Sequence, residues 1–228
     1  AGVGVATPAG RFRGAANADA ILVGLAEEVS DSAEFGVVDE VIRTDAAESV
    51  LLIPGGMGET EASREPARRM LETIDNARRE GRGPVFVGGN CLGIISHPGN
   101  YDSWFIPEER FPRTQKKAQR SSALISQSGA FLVTRLSKNA FLDPAYMVAL
   151  GNQNDITHGD MVENFAANPQ VHVIGAYVEG FKDLDGLVAR VAVHLGVAVE
   201  GKAVSFDARL LDGVIATRKL VDTLRRQG

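Results

Sequence analysis

Five short apolar runs in this 228-residue sequence each hand over directly to small or polar residues. Ile53 leads into Pro54-Gly55-Gly56-Met57-Gly58, Val87 into Gly88-Gly89-Asn90-Cys91, and Ile125 into Ser126-Gln127-Ser128-Gly129-Ala130. Leu150 leads into Gly151-Asn152-Gln153-Asn154-Asp155, and Val178 into Glu179-Gly180. In a parallel sheet all the carboxyl ends lie on one edge, and that edge is where ligands of such folds bind. Glycine there also serves plain strand-to-helix turns, so each loop alone has an ordinary structural reading. Taken jointly, they point to a ligand site.

The loop after Ile125 is the strongest local case. A helix-compatible run, residues 131–136, comes at once, with Ser128 as a candidate N-cap. Gly129 beside the cap lets backbone N–H groups approach an anion, which the helix dipole favours. The alternative is a capped helix with nothing bound. No lysine-bearing P-loop occurs, so ordinary nucleotide hydrolysis on this chain is not supported. The 151–155 loop is a second anion-facing terminus or a simple turn, with Asp155 or Thr157 as the cap of the next helix. A carboxylate at Glu179 usually faces solvent, but at a cleft it orients a histidine or receives a proton. Cys91 reads as a reactive thiol or as a buried small hydrophobe; no lysine or arginine adjoins it. The four histidines, His97, His158, His172 and His194, have no metal-binding spacing and read first as surface or structural residues.

Apolar periodicity supplies the elements that must position these loops. Strand-like runs fall at 49–53, 84–87, 123–126, 146–150 and 171–178. Helical faces are formed by Ile21, Leu22, Leu25, Ala26 and Val29, and by Ala67, Met70, Leu71, Ile74 and Ala77. The latter helix is opened by Pro66 and closed by Gly81. Met161, Val162, Phe165 and Ala166 form a short face, and Leu184, Leu187, Val188, Val191, Ala192 and Leu195 a longer one. Strands alternating with such helices imply an α/β chain with parallel sheets and helices on both faces. A boundary falls in the 107–122 segment, where Pro107, Pro112, Arg113, Lys116, Lys117 and Arg120 read as a solvated linker or a phosphate-touching basic cluster.

Composition narrows the class. Apolar residues make up 44% and charged residues 23%, which allows a packed core. A net charge of −5 argues against a nucleic-acid-coating protein. One cysteine excludes an internal disulfide framework and fits a reducing, cytoplasmic setting. No apolar run is long enough to span a bilayer, and no secretory signal opens the chain. It starts at Ala1, so an incomplete translation product is expected.

The loops also carry a resemblance. Gly88-Gly89-Asn90-Cys91-Leu92-Gly93 resembles the Gly-Pro-Asn-Cys-x-Gly stretch of the nucleoside-diphosphate-forming acyl-CoA synthetases, the superfamily of the succinyl-CoA synthetase α subunit, with Gly89 where proline is usual. Ile125-Ser126-Gln127-Ser128-Gly129-Ala130 resembles the family's phosphate loop. Leu150-Gly151-Asn152-Gln153 and Tyr177-Val178-Glu179-Gly180 come next in the expected order. Pro54-Gly55-Gly56-Met57-Gly58-Glu59 resembles its Gly-Phe-x-Glu-x-Gly turn, with Met57 where phenylalanine is usual.

The resemblance implies a Rossmann-like CoA-binding domain over 1–112, incomplete at its start, and a flavodoxin-like domain over 113–228. It implies reversible conversion of acyl-CoA, phosphate and a nucleoside diphosphate into acid, CoA and the triphosphate, through acyl phosphate and a phosphohistidine. ATP or ADP and Mg2+ would sit on a separate ATP-grasp partner. By position, Ser126, Gln127, Ser128, Gly129 and Asn152 would hold phosphate, Glu179 would orient the phosphohistidine, and Gly56, Gly89, Asn90 and Cys91 would lie at CoA or the thioester. The family's histidine loop is not found: Val204 runs straight into Ser205, so a segment is expected to be missing there. The alternative is a non-catalytic CoA- or acyl-CoA-binding module that lost the loop.

Overall fold

β-Branched and aliphatic runs too short for helices become strands, and in a computed structural model of the chain they assemble into two five-stranded sheets. The structure describes residues 3–6, 12–13, 18–23, 31–45, 47–56, 58, 60–107, 120–139, 142–184 and 186–188. The chain forms two compact units, Ala1–Cys91 with Gly151–Ile156, and Leu92–Leu150 with Thr157–Gly228. The expected change of domain at 112 is replaced by a division after Cys91, because the strands beyond it pair into the second sheet.

The first unit runs β1 (Val3–Ala6), β2 (Phe12–Arg13), β3 (Ala18–Val23), α1 (Asp31–Thr44), β4 (Ala47–Leu52), α2 (Glu61–Arg79) and β5 (Val85–Gly88). The sheet order is β2-β1-β3-β4-β5, with β1, β3, β4 and β5 parallel and β2 antiparallel to β1. Both helical crossovers step the same way along the sheet, so right-handed connection puts α1 and α2 on one face. Their apolar stripes meet there: Val38, Val41 and Ile42 of α1 and Met70, Ile74 and Ala77 of α2 pack with Val50, Leu52 and Phe86.

α2 begins earlier than the sequence suggested. Thr60 is its N-cap, in a reciprocal capping box with Ser63, and Pro66 lies inside the helix rather than at its opening. Gly81 closes it as expected, at φ +67°, with Gly81 N–H donating to Arg78 O and Arg82 N–H to Ala77 O. The helix expected around Ile21 and Leu22 is instead strand β3, and Leu25, Ala26 and Val29 lie outside the described residues.

The second unit contains β6 (Gly93–Ser96), β7 (Tyr101–Asp102), β8 (Ser122–Ser126), α3 (Gly129–Lys138), β9 (Tyr146–Ala149), α4 (His158–Ala166) and β10 (Val173–Tyr177). Its order is β10-β8-β9-β6-β7. Strands β10, β8 and β9 are parallel, whereas β6 runs antiparallel to β9 and β7 antiparallel to β6, so the sheet is mixed rather than wholly parallel. From β8 the chain steps to β9 on one side, then back across β8 to β10. Right-handed crossovers in opposite directions set α3 and α4 on opposite faces. Leu124 and Met147 pack with Leu132 and Leu136 of α3, and with Leu92, Ile95 and Trp104.

Arg120 is no part of a solvated linker. It forms a buried ion pair with Asp143, Nε to Oδ1 at 2.8 Å, with the side chains 9% and 5% exposed. Arg113, Lys116 and Lys117 lie outside the described residues, as do the junction at Val204–Ser205 and most of the helix expected after Asp183. Among the described residues no helix is long and apolar enough to cross a membrane.

The Gly151–Ile156 stretch completes the first unit by lining the open side of β5. Asn152, Asn154 and Ile156 donate their N–H groups to the carbonyls of Gly89, Gly88 and Phe86. Asp155 does not cap α4, a role that falls to Thr157. Its carboxylate instead accepts from the Phe86 N–H at 2.8 Å and pairs with Arg78 at 3.0 Å. Asp155 is 8% exposed against 41% for Arg78. Removing the acceptor strands a backbone donor, whereas removing the half-exposed cation does not. Asp155→Ala should therefore lower the unfolding free energy by about 2–3 kcal/mol and Arg78→Ala by less than about 1 kcal/mol, measured by urea denaturation.

Candidate functional site

In the second unit the end of β8 is shaped by its own serines. Ser126, fully buried, accepts from the Ser128 N–H at 3.1 Å and donates to the Ser128 carbonyl at 2.7 Å. That local turn delivers Ser128 to the N-cap of α3, where its Oγ accepts from the Phe131 N–H at 3.3 Å. Gly129 opens the helix. A Cβ there would stand 2.7 Å from Leu92 Cβ, so glycine is needed for packing whatever binds. With the Phe131 and Leu132 N–H groups bonded to Ser128, those of Gly129 and Ala130 make the start of the helix anion-receptive.

β8 and β10 are parallel neighbours, so their carboxyl ends share a seam on the edge at which open α/β sheets bind ligands. Across it, the Gln127 N–H donates to Tyr177 O at 3.0 Å. The Gln127 side chain then receives the N–H groups of Glu179 and Gly180, at 2.9 and 3.0 Å. Two donors can only be met by the amide oxygen, so the orientation of that amide is fixed by chemistry. Its NH2 therefore faces away from both. The Glu179 main chain is held while its side chain is exposed. The Tyr177 ring stacks on Phe131 of α3, with centroids 3.9 Å apart.

His158, at the first position of α4, is 2% exposed, and its Nε2 lies 3.2 Å from Tyr177 O. A carbonyl accepts only, so Nε2 carries the proton. Burial holds the imidazole neutral and pushes its pKa down to about 4, the hydrogen bond to Tyr177 opposing the shift only in part. His97 is also pushed down, by burial and then by the Arg120 charge. Among the described residues no group of three or more His, Cys, Asp or Glu is arranged to hold a metal ion.

In the first unit, the turns after β4 and β5 meet. Gly56 has φ +82°, and the Gly88–Gly89 peptide is cis. Asn90, at φ +52°, donates its N–H to Pro54 O at 2.7 Å, and its side-chain oxygen lies against Gly55. Asn90 is exposed and Gly89 buried. Gly151, at φ +55°, admits the Gly89 carbonyl where a Cβ would be 2.0 Å away. Asn152 thus sits in this unit, beside Gly89, rather than in the unit of the Ser126–Gly129 loop. Cys91 is 3% exposed, and its thiol donates to Leu52 O at 3.2 Å. The structure therefore gives it the buried role of the two the sequence left open. The Gln127 clamp was missed by sequence reading, because its partners lie more than fifty residues away and no local pattern signals it.

Residues 119–195 match the succinyl-CoA ligase-like flavodoxin domain family. Over part of its length the chain also resembles ADP-forming acetate–CoA ligases. It is 31% identical over 136 residues to the α subunit of ADP-forming acetate–CoA ligase II of Pyrococcus furiosus, covering 59% of this chain and 27% of that one. With the α subunit of ligase I from the same organism it shares 27% over 169 residues, 68% of this chain and 34% of that one. The match thus spans about a third or less of these relatives' length. The dinucleotide-forming acetyl-coenzyme A synthetase 1 of Ca. Korarchaeum cryptofilum, solved with phosphate and ADP, shares the fold at a TM-score of 0.63 and 17% identity, covering 92% of this chain and 44% of that one. The α/β architecture expected from the motifs is the one found.

The buried neutral imidazole makes the fold acid-sensitive. His158 titrates near 4 when folded and near the ordinary 6.5 when unfolded, so below pH 6.5 the unfolded chain takes up the proton first. Stability should fall as pH drops from 6.5 to 4, by up to about 3 kcal/mol from this residue. Denaturation curves across that range should be flatter for His158→Phe by about that amount.

Proposed function

We propose that this chain is the α-type part of a nucleoside-diphosphate-forming acyl-CoA synthetase, working with an ATP-grasp partner in the cytoplasm. The observation that carries the reading is the Ser128-capped helix terminus at the adjacent carboxyl ends of β8 and β10, beside a turn that fixes the Glu179 main chain. Family relationship supports it from a second direction.

In this reading a phosphate oxygen attacks the thioester carbonyl of acyl-CoA, and CoA leaves as the thiol, giving acyl phosphate. A histidine nitrogen takes the phosphoryl group and releases the carboxylate. ADP on the partner then takes the group from the histidine, giving ATP. The first-turn N–H groups of α3 stabilise the phosphoryl charge, and Ser126 shapes the loop that presents them. Gln127 acts through its main-chain and side-chain hydrogen bonds, and Gly129 by leaving the helix start accessible. Glu179 accepts from the imidazole N–H opposite the phosphorylated nitrogen and so fixes its tautomer. The resemblance adds Asn152 to the phosphate residues. Gly56, Gly89 and Asn90 line the thioester side, with Cys91 anchoring their turn from within. Mg2+ would accompany the nucleotide on the partner and screen its phosphates.

The experiment uses the full-length protein with its ATP-grasp partner. ATP labelled at the γ-phosphate should transfer label to a histidine of this protein, in an acid-labile and base-stable form, and added ADP should remove it. Glu179→Gln should slow the transfer by about 10²-fold or more. A competent complex that takes no label, with CoA binding retained by calorimetry, would favour the non-catalytic module instead.

A further inference from the structure

His158 is a buried titratable group to which the proposed reaction assigns no part. Its surroundings give it one. The turn after β10 is held at successive points: the Tyr177 carbonyl receives the Gln127 N–H at 3.0 Å and His158 Nε2 at 3.2 Å. The N–H groups of Glu179 and Gly180 go to the Gln127 amide oxygen. A carbonyl oxygen has two lone pairs, and both on Tyr177 are thereby used. Gln127 belongs to the segment between β8 and α3, whereas His158 starts α4 on the opposite face of the sheet. The turn is gripped along the sheet by Gln127 and from the α4 side by His158.

We propose that His158 is a positioning residue for Glu179: by donating from Nε2 to the Tyr177 carbonyl, it fixes the turn that carries the carboxylate. This rests on the role of Glu179 in the proposed phosphoryl transfer. The imidazole is too deeply placed to meet a ligand at 2% exposure, so it acts through the backbone. Phosphoryl transfer tolerates little displacement of its orienting groups, and a turn free to shift by an ångström would lose rate rather than substrate binding.

Two substitutions separate this from a purely structural role. His158→Phe keeps an aromatic ring and removes the donor. His158→Gln places an amide N–H near the position of Nε2. In the full-length protein with its ATP-grasp partner, His158→Phe should lower the maximal rate of label transfer from γ-labelled ATP by about tenfold or more. The ATP concentration for half-maximal transfer should change by less than about threefold, and His158→Gln should recover the rate to within about threefold of the parent. A second measurement needs no activity: amide hydrogen exchange at Glu179 and Gly180 should quicken by about tenfold in His158→Phe and return with His158→Gln. If His158→Phe fails to fold, His158→Asn, whose donor falls short of the carbonyl, takes its place in both measurements. Parent-like transfer and exchange without the donor, or a His158→Gln protein as impaired as the donor-less one, overturns the proposal. A parent complex that takes no label overturns the functional reading instead, and the exchange rates still decide whether His158 holds the turn.

Discussion

A single backbone carbonyl, that of Tyr177, is where strands β8 and β10, helix α4 and the proposed reacting edge converge. It ends β10, extends the ladder to β8 through Gln127, and receives the α4 imidazole. The same residue's ring stacks on Phe131 of α3. A sheet edge that binds anions must keep some N–H groups unspent while fixing everything around them. Here the N–H groups of Glu179 and Gly180 are spent on Gln127 and that of Phe131 on the Ser128 cap, which leaves those of Gly129 and Ala130 at the start of α3. Rigidity at the end of β10 and receptivity at the end of β8 come from how the donors are shared out.

The first unit solves a different problem with the same material. Its turns after β4 and β5 come so close that only glycine fits at several places. Gly151 is the clearest, since the Gly89 carbonyl occupies the space of its missing Cβ. The buried Cys91 thiol and the Asn90 N–H then tie the β5 turn back to β4 and Pro54. Close backbone approach of this kind leaves an exposed asparagine on a fixed loop, suited to recognition by a polar group.

Much of this was legible in the residues because it is local. Ser128 before a helical run is an N-cap in sequence and in space, and Gly81 ends α2 by its positive φ. Period-two and continuous apolar runs located the strands β4, β5, β8, β9 and β10 to within a residue or two. What failed was also physical. Ile21 and Leu22 satisfy a helical spacing, but a short apolar run fits a buried strand equally well, and β3 is central in its sheet. Helix α1 was overlooked, although Val37, Val38, Val41 and Ile42 form a buried face, because β-branched residues dilute a helix signal. Strands β6 and β7 were hidden in short runs whose pairing, β6 with β9 and β7 with β6, is set by the fold. The Gln127 and His158 contacts, the Arg120–Asp143 pair and the use of Asp155 at β5 all join distant residues, and spacing carries no trace of them.

The return of residues 151–156 to the sheet edge bears on how such a chain can be cut or recombined. The first unit is not a contiguous stretch of sequence: its last edge is supplied by residues encoded sixty positions downstream. Severed after Cys91, it would present the bare side of β5, an invitation to pair with another chain. A cut that leaves the side of β5 covered must therefore spare everything from the first strand to Ile156. The first unit thus depends on a stretch that follows much of the second unit in sequence, even though each has a core of its own.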